Sequence, residues 1–176
     1  IVTPSVTGSL RPVIVWFHGG GFVAGSANEY DGTVLAGQGD VVVVTVNSRL
    51  GAFGFLDFSQ FGSEYLGSAS NGLRDQILAL QWISRNIEDF GGDPKNVTIS
   101  GQSSGASSVL SLLASPSADS LYHKAIACSP TAVYNTKTDR AEDLSDRLKC
   151  TPDDCVEILR DSTAEELVGI KKCSRN

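Results

Sequence analysis

The chain has 176 residues, 41% of them apolar, and a formal net charge of −6. That length and apolar content predict one globular unit able to bury a core and exclude a disordered or collagen-like chain. The acidic balance lacks the basic footprint that phosphate neutralisation needs, so nucleic acid is not an expected partner.

Elements follow in chain order. Ile1-Val2-Thr3-Pro4 has neither the basic segment nor the long apolar run of a signal peptide and reads as mature interior sequence. No apolar stretch approaches the length of a bilayer span. Val13-Ile14-Val15-Trp16-Phe17 and Val41-Val42-Val43-Val44-Thr45-Val46 are nearly continuous β-branched or aromatic runs, as in strands buried in a parallel sheet. Asn28 to Gly39 is long enough for the crossover between them, with some helix. Residues 47–71, rich in Gly, Ser and Phe, read as a long loop of functional rather than idle character.

From Leu73 to Phe90, the apolar residues Leu73, Ile77, Leu80, Ile83 and Ile87 recur at intervals of three and four, predicting an amphipathic helix with one stripe on the sheet. Gly91-Gly92 should stop it and Asp93-Pro94 turn the chain. A strand is expected at Val97 to Ser100, a helix at Ser104 to Ala114 and a strand at Ala125 to Cys128. Strands alternating with helices at this spacing indicate an α/β sheet. Residues 131–176 carry 18 charged side chains against 16 in residues 1–130, so the tail is expected to be a charged, mostly exposed excursion with short helices near 138–149, 153–160 and 163–170.

The four cysteines, Cys128, Cys150, Cys155 and Cys173, match no zinc or redox spacing. Three lie in the charged tail, compatible with a local bridge from Cys150 to Cys155 or Cys173 in a secreted chain and equally with inert thiols. The sequon Asn96-Val97-Thr98 adds a vote for a secreted or extracellular location.

Two motifs carry chemistry. Gly101-Gln102-Ser103-Ser104-Gly105 lies between a β-branched run and a helical stretch, where a nucleophile elbow must be. Flanking glycines would let the backbone take a strained turn that lifts the Ser103 hydroxyl above the sheet and leaves the next N–H free for an oxyanion. His18-Gly19-Gly20-Gly21 directly follows a strand, where backbone N–H groups can approach a ligand closely. Each run alone also occurs as an ordinary turn; together and in this order they make a joint signal.

Further blocks carry a family resemblance. His18 to Val23 with Gly25-Ser26, Asn47-Ser48-Arg49-Leu50-Gly51 leading to Gly54-Phe55-Leu56, and Asn71 to Gln76 resemble successive blocks of the type-B carboxylesterase (cholinesterase-like) family. So do Phe90-Gly91-Gly92-Asp93-Pro94, Val97 to Gly105, and Tyr122 to Ile126. The resemblance covers residues 1 to about 130 and weakens in the tail. It implies a partial α/β-hydrolase domain over 1–176: a mostly parallel sheet core with flanking helices to residue 130, then the helical excursion.

The implied activity is carboxylic ester hydrolysis through a serine acyl-enzyme on a small-molecule ester. Ser103 would be the nucleophile and the N–H groups of Gly20, Gly21 and Ser104 the oxyanion hole, with no metal or other cofactor. Oligomeric state is left open. Where the family usually has Glu before the nucleophile and Ala after it, this chain has Gln102 and Ser104, and Ser129-Pro130 replaces its common Ser-Gly.

A serine needs a base, and the chain has two histidines. In this fold the order is Ser, then acid, then His. After Ser103, Asp119 and His123 are the only candidates that keep the order, and they follow too closely to occupy separate strand-end loops. His18 is expected to shape the glycine loop. Asp57, Asp75 and Asp93 precede Ser103 and read as caps, turns or packing carboxylates. The acid and histidine are therefore expected outside these 176 residues, the chain being part of a longer protein. Alternatives are a non-catalytic cholinesterase-like adhesion or scaffold protein and an inactive truncated product.

Overall fold

The computed structural model describes residues 1–131, 151 and 154–168. The chain divides into two compact units, one of Ile1–Ser48 with Leu73–Val133 and one of Arg49–Gly72 with Tyr134–Asn176.

The first unit is built on β1 (Arg11–Phe17), β2 (Val42–Val46), β3 (Gly92–Gln102) and β4 (Lys124–Cys128). All pairings are parallel and the order is β2-β1-β3-β4. The β-branched runs form these strands because branched side chains pack on a pleated surface. Val13, Val15 and Phe17 are fully buried while Ile14 and Trp16 are half-buried, so one face of β1 is more deeply covered than the other. The crossover from β1 to β2 holds α1 (Thr33–Gly39), ended by Asp40 in a left-handed conformation. From β2 the chain returns to the other side of β1. The order thus reverses between β1 and β3, and in open α/β sheets such a switch point opens a crevice at the carboxyl ends of the strands.

The expected amphipathic helix is present as α3 (Asn71–Asn86), continued by a 3₁₀ turn over Ile87–Phe90. Leu80, Ile83 and Ile87 are fully buried, with Leu73 and Ile77 packed against the same core, while Leu78 and Trp82 stay exposed. Gly91 ends the element with φ 76°. Strand β3 begins earlier than Val97, at Gly92, but not smoothly. Its register on β1 passes from Arg11↔Gly92 to Val13↔Val97, so five steps on β3 face two on β1. The expected Asp93-Pro94 turn survives as this bulge, where a proline costs no ladder bond, and Asp93 Oδ1 accepts the Lys95 N–H at 2.8 Å. Helix α4 (Ser104–Leu113) buries nearly all of its first two turns, which its small residues permit.

In the second unit, the expected loop contains α2 (Gly51–Phe55) and three 3₁₀ turns, at Ser59–Phe61, Ser63–Tyr65 and Ser68–Ser70. Two of the tail helices are present as α5 (Cys155–Asp161) and α6 (Ala164–Val168). Thr163 and Glu166 form a capping box at the start of α6: Glu166 Oε2 accepts the Thr163 N–H at 2.8 Å, and Thr163 Oγ1 accepts the Glu166 N–H at 3.3 Å. The helix expected at 138–149 lies outside the described residues, as do Cys150 and Cys173. Cys155 is buried and disulfide-bonded, its partner lying outside the described residues, and Cys128 is a free, exposed thiol.

Candidate active site

Strand register brings the two motifs together. Phe17 pairs with Gly101 at the carboxyl ends of β1 and β3, so the segment after each strand emerges beside the other. A Cβ built on Gly19 would stand 2.8 Å from Gln102 Oε1, 3.1 Å from the Gln102 carbonyl and 3.4 Å from Ser103 Cβ. The glycine loop and the elbow are in direct contact, with the Gln102 side chain laid over Gly19.

Ser103 itself carries the strain, with φ 55° and ψ −121°. A non-glycine residue held there costs on the order of 1–3 kcal/mol and persists only when its surroundings impose it. Here they do. The Ser103 N–H donates to the Cys128 carbonyl at 3.0 Å, and its carbonyl accepts the Ser107 N–H at 2.9 Å as α4 begins. The Ser107 hydroxyl lies 2.8 Å from the Thr131 carbonyl and 3.3 Å from that of Ser103, tying the segment after β4 to the first turn of α4.

The flanking glycines serve a different purpose from the expected one. Neither Gly101 nor Gly105 has a positive φ. Both are required by close approach: a Cβ on Gly105 would stand 2.0 Å from the Phe17 carbonyl, and one on Gly101 would stand 2.5 Å from the carbonyl carbon of Gly105. These spacings let α4 close onto the end of β1, and the serine between takes the turn.

In the glycine loop, positive φ belongs to Gly20 (114°), Gly21 (64°) and Phe22 (65°). The Gly20 carbonyl accepts the N–H groups of Val23 and Ala24, both at 3.1 Å, closing a tight turn. Asn47, just after β2, accepts the Ala27 N–H on Oδ1 at 2.8 Å and anchors the loop's exit. Its anchoring role had no local signal in the sequence beyond its place in a family block. Among the described residues, the N–H groups of Gly20, Gly21 and Ser104 donate to no other protein group. N–H groups left without a protein acceptor are what stabilisation of an oxyanion requires.

The histidines separate. His18 is buried, with Nδ1 2.7 Å from the Gly19 carbonyl oxygen, inside the glycine loop. His123 stands before β4, at the amino end of the sheet, where its Nδ1 accepts the Val97 N–H at 3.2 Å and its N–H donates to the Val97 carbonyl at 2.8 Å. Five residues of β3, about 17 Å of strand, separate that end from Ser103. Among the described residues no group of three or more His, Cys, Asp or Glu side chains is placed to hold a metal ion.

A family model described as the carboxylesterase family matches residues 1–175. The chain is 48% identical over 143 residues to para-nitrobenzyl esterase of Bacillus subtilis (strain 168), covering 80% of this chain and 29% of that protein. It is 41% identical over 180 residues to carboxylesterase 5A of Ovis aries, covering 97% of this chain and 46% of that one. Among solved structures it resembles the carboxylesterase EST55 of Geobacillus stearothermophilus with a TM-score of 0.84 and 40% identity, over 95% of this chain and 36% of that one. The chain thus spans less than half the length of these relatives, and its sheet and flanking helices are part of the α/β-hydrolase fold. On matched sequence, shared fold and the junction of elbow and glycine loop, this chain belongs to the carboxylesterase family.

Proposed function

We propose that the protein carrying this chain hydrolyses carboxylic esters of small molecules through a serine acyl-enzyme. The observation that carries the reading is Ser103 at positive φ between β3 and α4, in contact with a glycine loop whose Gly20 and Gly21 N–H groups donate to no other group among the described residues. In this reading the Ser103 hydroxyl attacks the ester carbonyl, and the N–H groups of Gly20, Gly21 and Ser104 stabilise the oxyanion that forms. In this reading neither histidine of the chain removes the proton, which the position of His123 at the far end of the sheet and the contact of His18 with Gly19 support. The base and its acid are therefore assigned to the remainder of the protein.

In the full-length protein, a fluorophosphonate probe should label Ser103, and Ser103→Ala should abolish both labelling and ester turnover. Labelling that survives Ser103→Ala would remove Ser103 as the nucleophile. The disulfide at Cys155 favours an oxidising compartment and hence a secreted or extracellular location. Among the described residues no helix is long and apolar enough to cross a membrane. Fractionation of the native host would test the location.

A further inference from the structure

Each N–H assigned to the oxyanion shares a peptide plane with a carbonyl that is itself engaged. In a trans peptide, the C=O of one residue and the N–H of the next point in opposite directions and the plane resists rotation, so holding the carbonyl aims the N–H. The Ser103 carbonyl, bonded by the Ser107 N–H at 2.9 Å, sets the Ser104 N–H. The Gly20 carbonyl, bonded by Val23 and Ala24, sets the Gly21 N–H. In both, the shortest anchoring bonds come from backbone N–H groups.

The third differs. The Gly19 carbonyl, whose peptide carries the Gly20 N–H, meets the imidazole of His18, with Nδ1 at 2.7 Å. A ring nitrogen that close to a carbonyl oxygen must carry a proton, because two acceptors would repel. Gly25 leaves room for the pair: a Cβ there would stand 2.7 Å from His18 Nδ1 and 2.6 Å from the Gly19 carbonyl oxygen. Burial keeps water from replacing the bond.

We propose that His18 is a positioning residue of the oxyanion hole, its Nδ1–H holding the Gly19 carbonyl and thereby aiming the Gly20 N–H at the oxyanion. It transfers no proton and keeps one tautomer through turnover. The inference rests on the reading of Ser103 as nucleophile and adds the side chain that presets one donor before substrate arrives.

The test uses the full-length protein with His18→Leu, which removes the donor, and His18→Asn, whose amide N–H can replace it. His18→Leu should lower kcat about 10- to 100-fold, as expected for a misaimed oxyanion donor, with KM changed less than about twofold. Affinity for a trifluoromethyl ketone, which forms a tetrahedral oxyanion on the serine, should fall in parallel. His18→Asn should recover most of both losses. A folded His18→Leu with unchanged kcat and inhibitor affinity would overturn the proposal, as would equal losses in the two variants when both keep the parent Tm.

Should His18→Leu not fold, a long-range 1H–15N spectrum of the parent protein decides. The His18 resonances, assigned by their loss in His18→Asn, must show a protonated Nδ1, and an unprotonated Nδ1 at neutral pH overturns the clamp. Failure of the esterase reading is separable: the parent would then show no Ser103-dependent turnover, while the tautomer measurement would still report on the clamp.

Discussion

The two ends of the same parallel sheet are built on opposite rules. At the amino end, side chains satisfy the backbone: His123 Nδ1 accepts the Val97 N–H and Asp93 Oδ1 accepts the Lys95 N–H. At the carboxyl end of β1 and β3, side chains are removed by glycine, carbonyls are held and N–H groups are left open. The two histidines express the contrast, since His123 Nδ1 accepts a backbone N–H and His18 Nδ1 donates to a backbone carbonyl. The difference shows that one sheet can cap strand backbone with side chains at one end and leave the Gly20, Gly21 and Ser104 N–H groups open at the other.

Substitutions should separate the two ends, the largest effect falling at Gly105. Gly105→Ala places a Cβ 2.0 Å from the Phe17 carbonyl, where only backbone could yield, and should destabilise the protein by about 3–5 kcal/mol in denaturant unfolding. An unchanged unfolding midpoint would show that α4 does not close onto β1. Next come the loop glycines, which should differ from each other. At Gly20 a Cβ would stand 2.0 Å from the Ala24 carbonyl, whereas at Gly21 the nearest atom is 4.0 Å away. Gly20→Ala should therefore cost about 100-fold in kcat through a displaced loop. Gly21→Ala bears only the left-handed backbone penalty of about 1–2 kcal/mol and should retain more activity. Equal losses at the two positions would contradict the loop geometry.

At the amino end, His123→Ala should cost about 1 kcal/mol of stability, the scale of one hydrogen bond, and leave kcat per folded molecule unchanged. A large fall in kcat with stability intact would bring His123 into the chemistry and break the comparison.

The smallest effect is expected at Asp31, near the start of α1. Hydrogen bonds from the Thr33 hydroxyl and then the Thr33 N–H hold its carboxyl below the usual carboxylate range. A carboxyl lowered on folding contributes stability above its unfolded pKa of about 3.9 and loses it as pH falls through the folded value. The gap in Tm between parent and Asp31→Ala should thus be present at neutral pH and shrink in acid. Because the group is fully exposed, the gap is small, and one that widened in acid would reverse the sign of the interaction.

Much of this was legible along the chain. The β-branched runs located β1, β2 and the regular part of β3, and the stripe Leu73, Ile77, Leu80, Ile83 and Ile87 located α3, because burial leaves a periodic mark that a single segment carries by itself. Ser103 and the glycine loop were legible as local motifs. The bulge at Asp93 to Asn96 was not, since its register depends on Arg11 and Val13 of another strand.

The sequence by itself determined which segments become strands and helices and which serine sits at a strand-to-helix junction, all properties of short-range pattern. Tertiary structure alone decided why Gly105 must be glycine, which carbonyl His18 holds, and that His123 stands at the wrong end of the sheet. Those facts depend on Phe17 pairing with Gly101 across 84 residues of chain, and strand register is settled by packing between segments rather than within one.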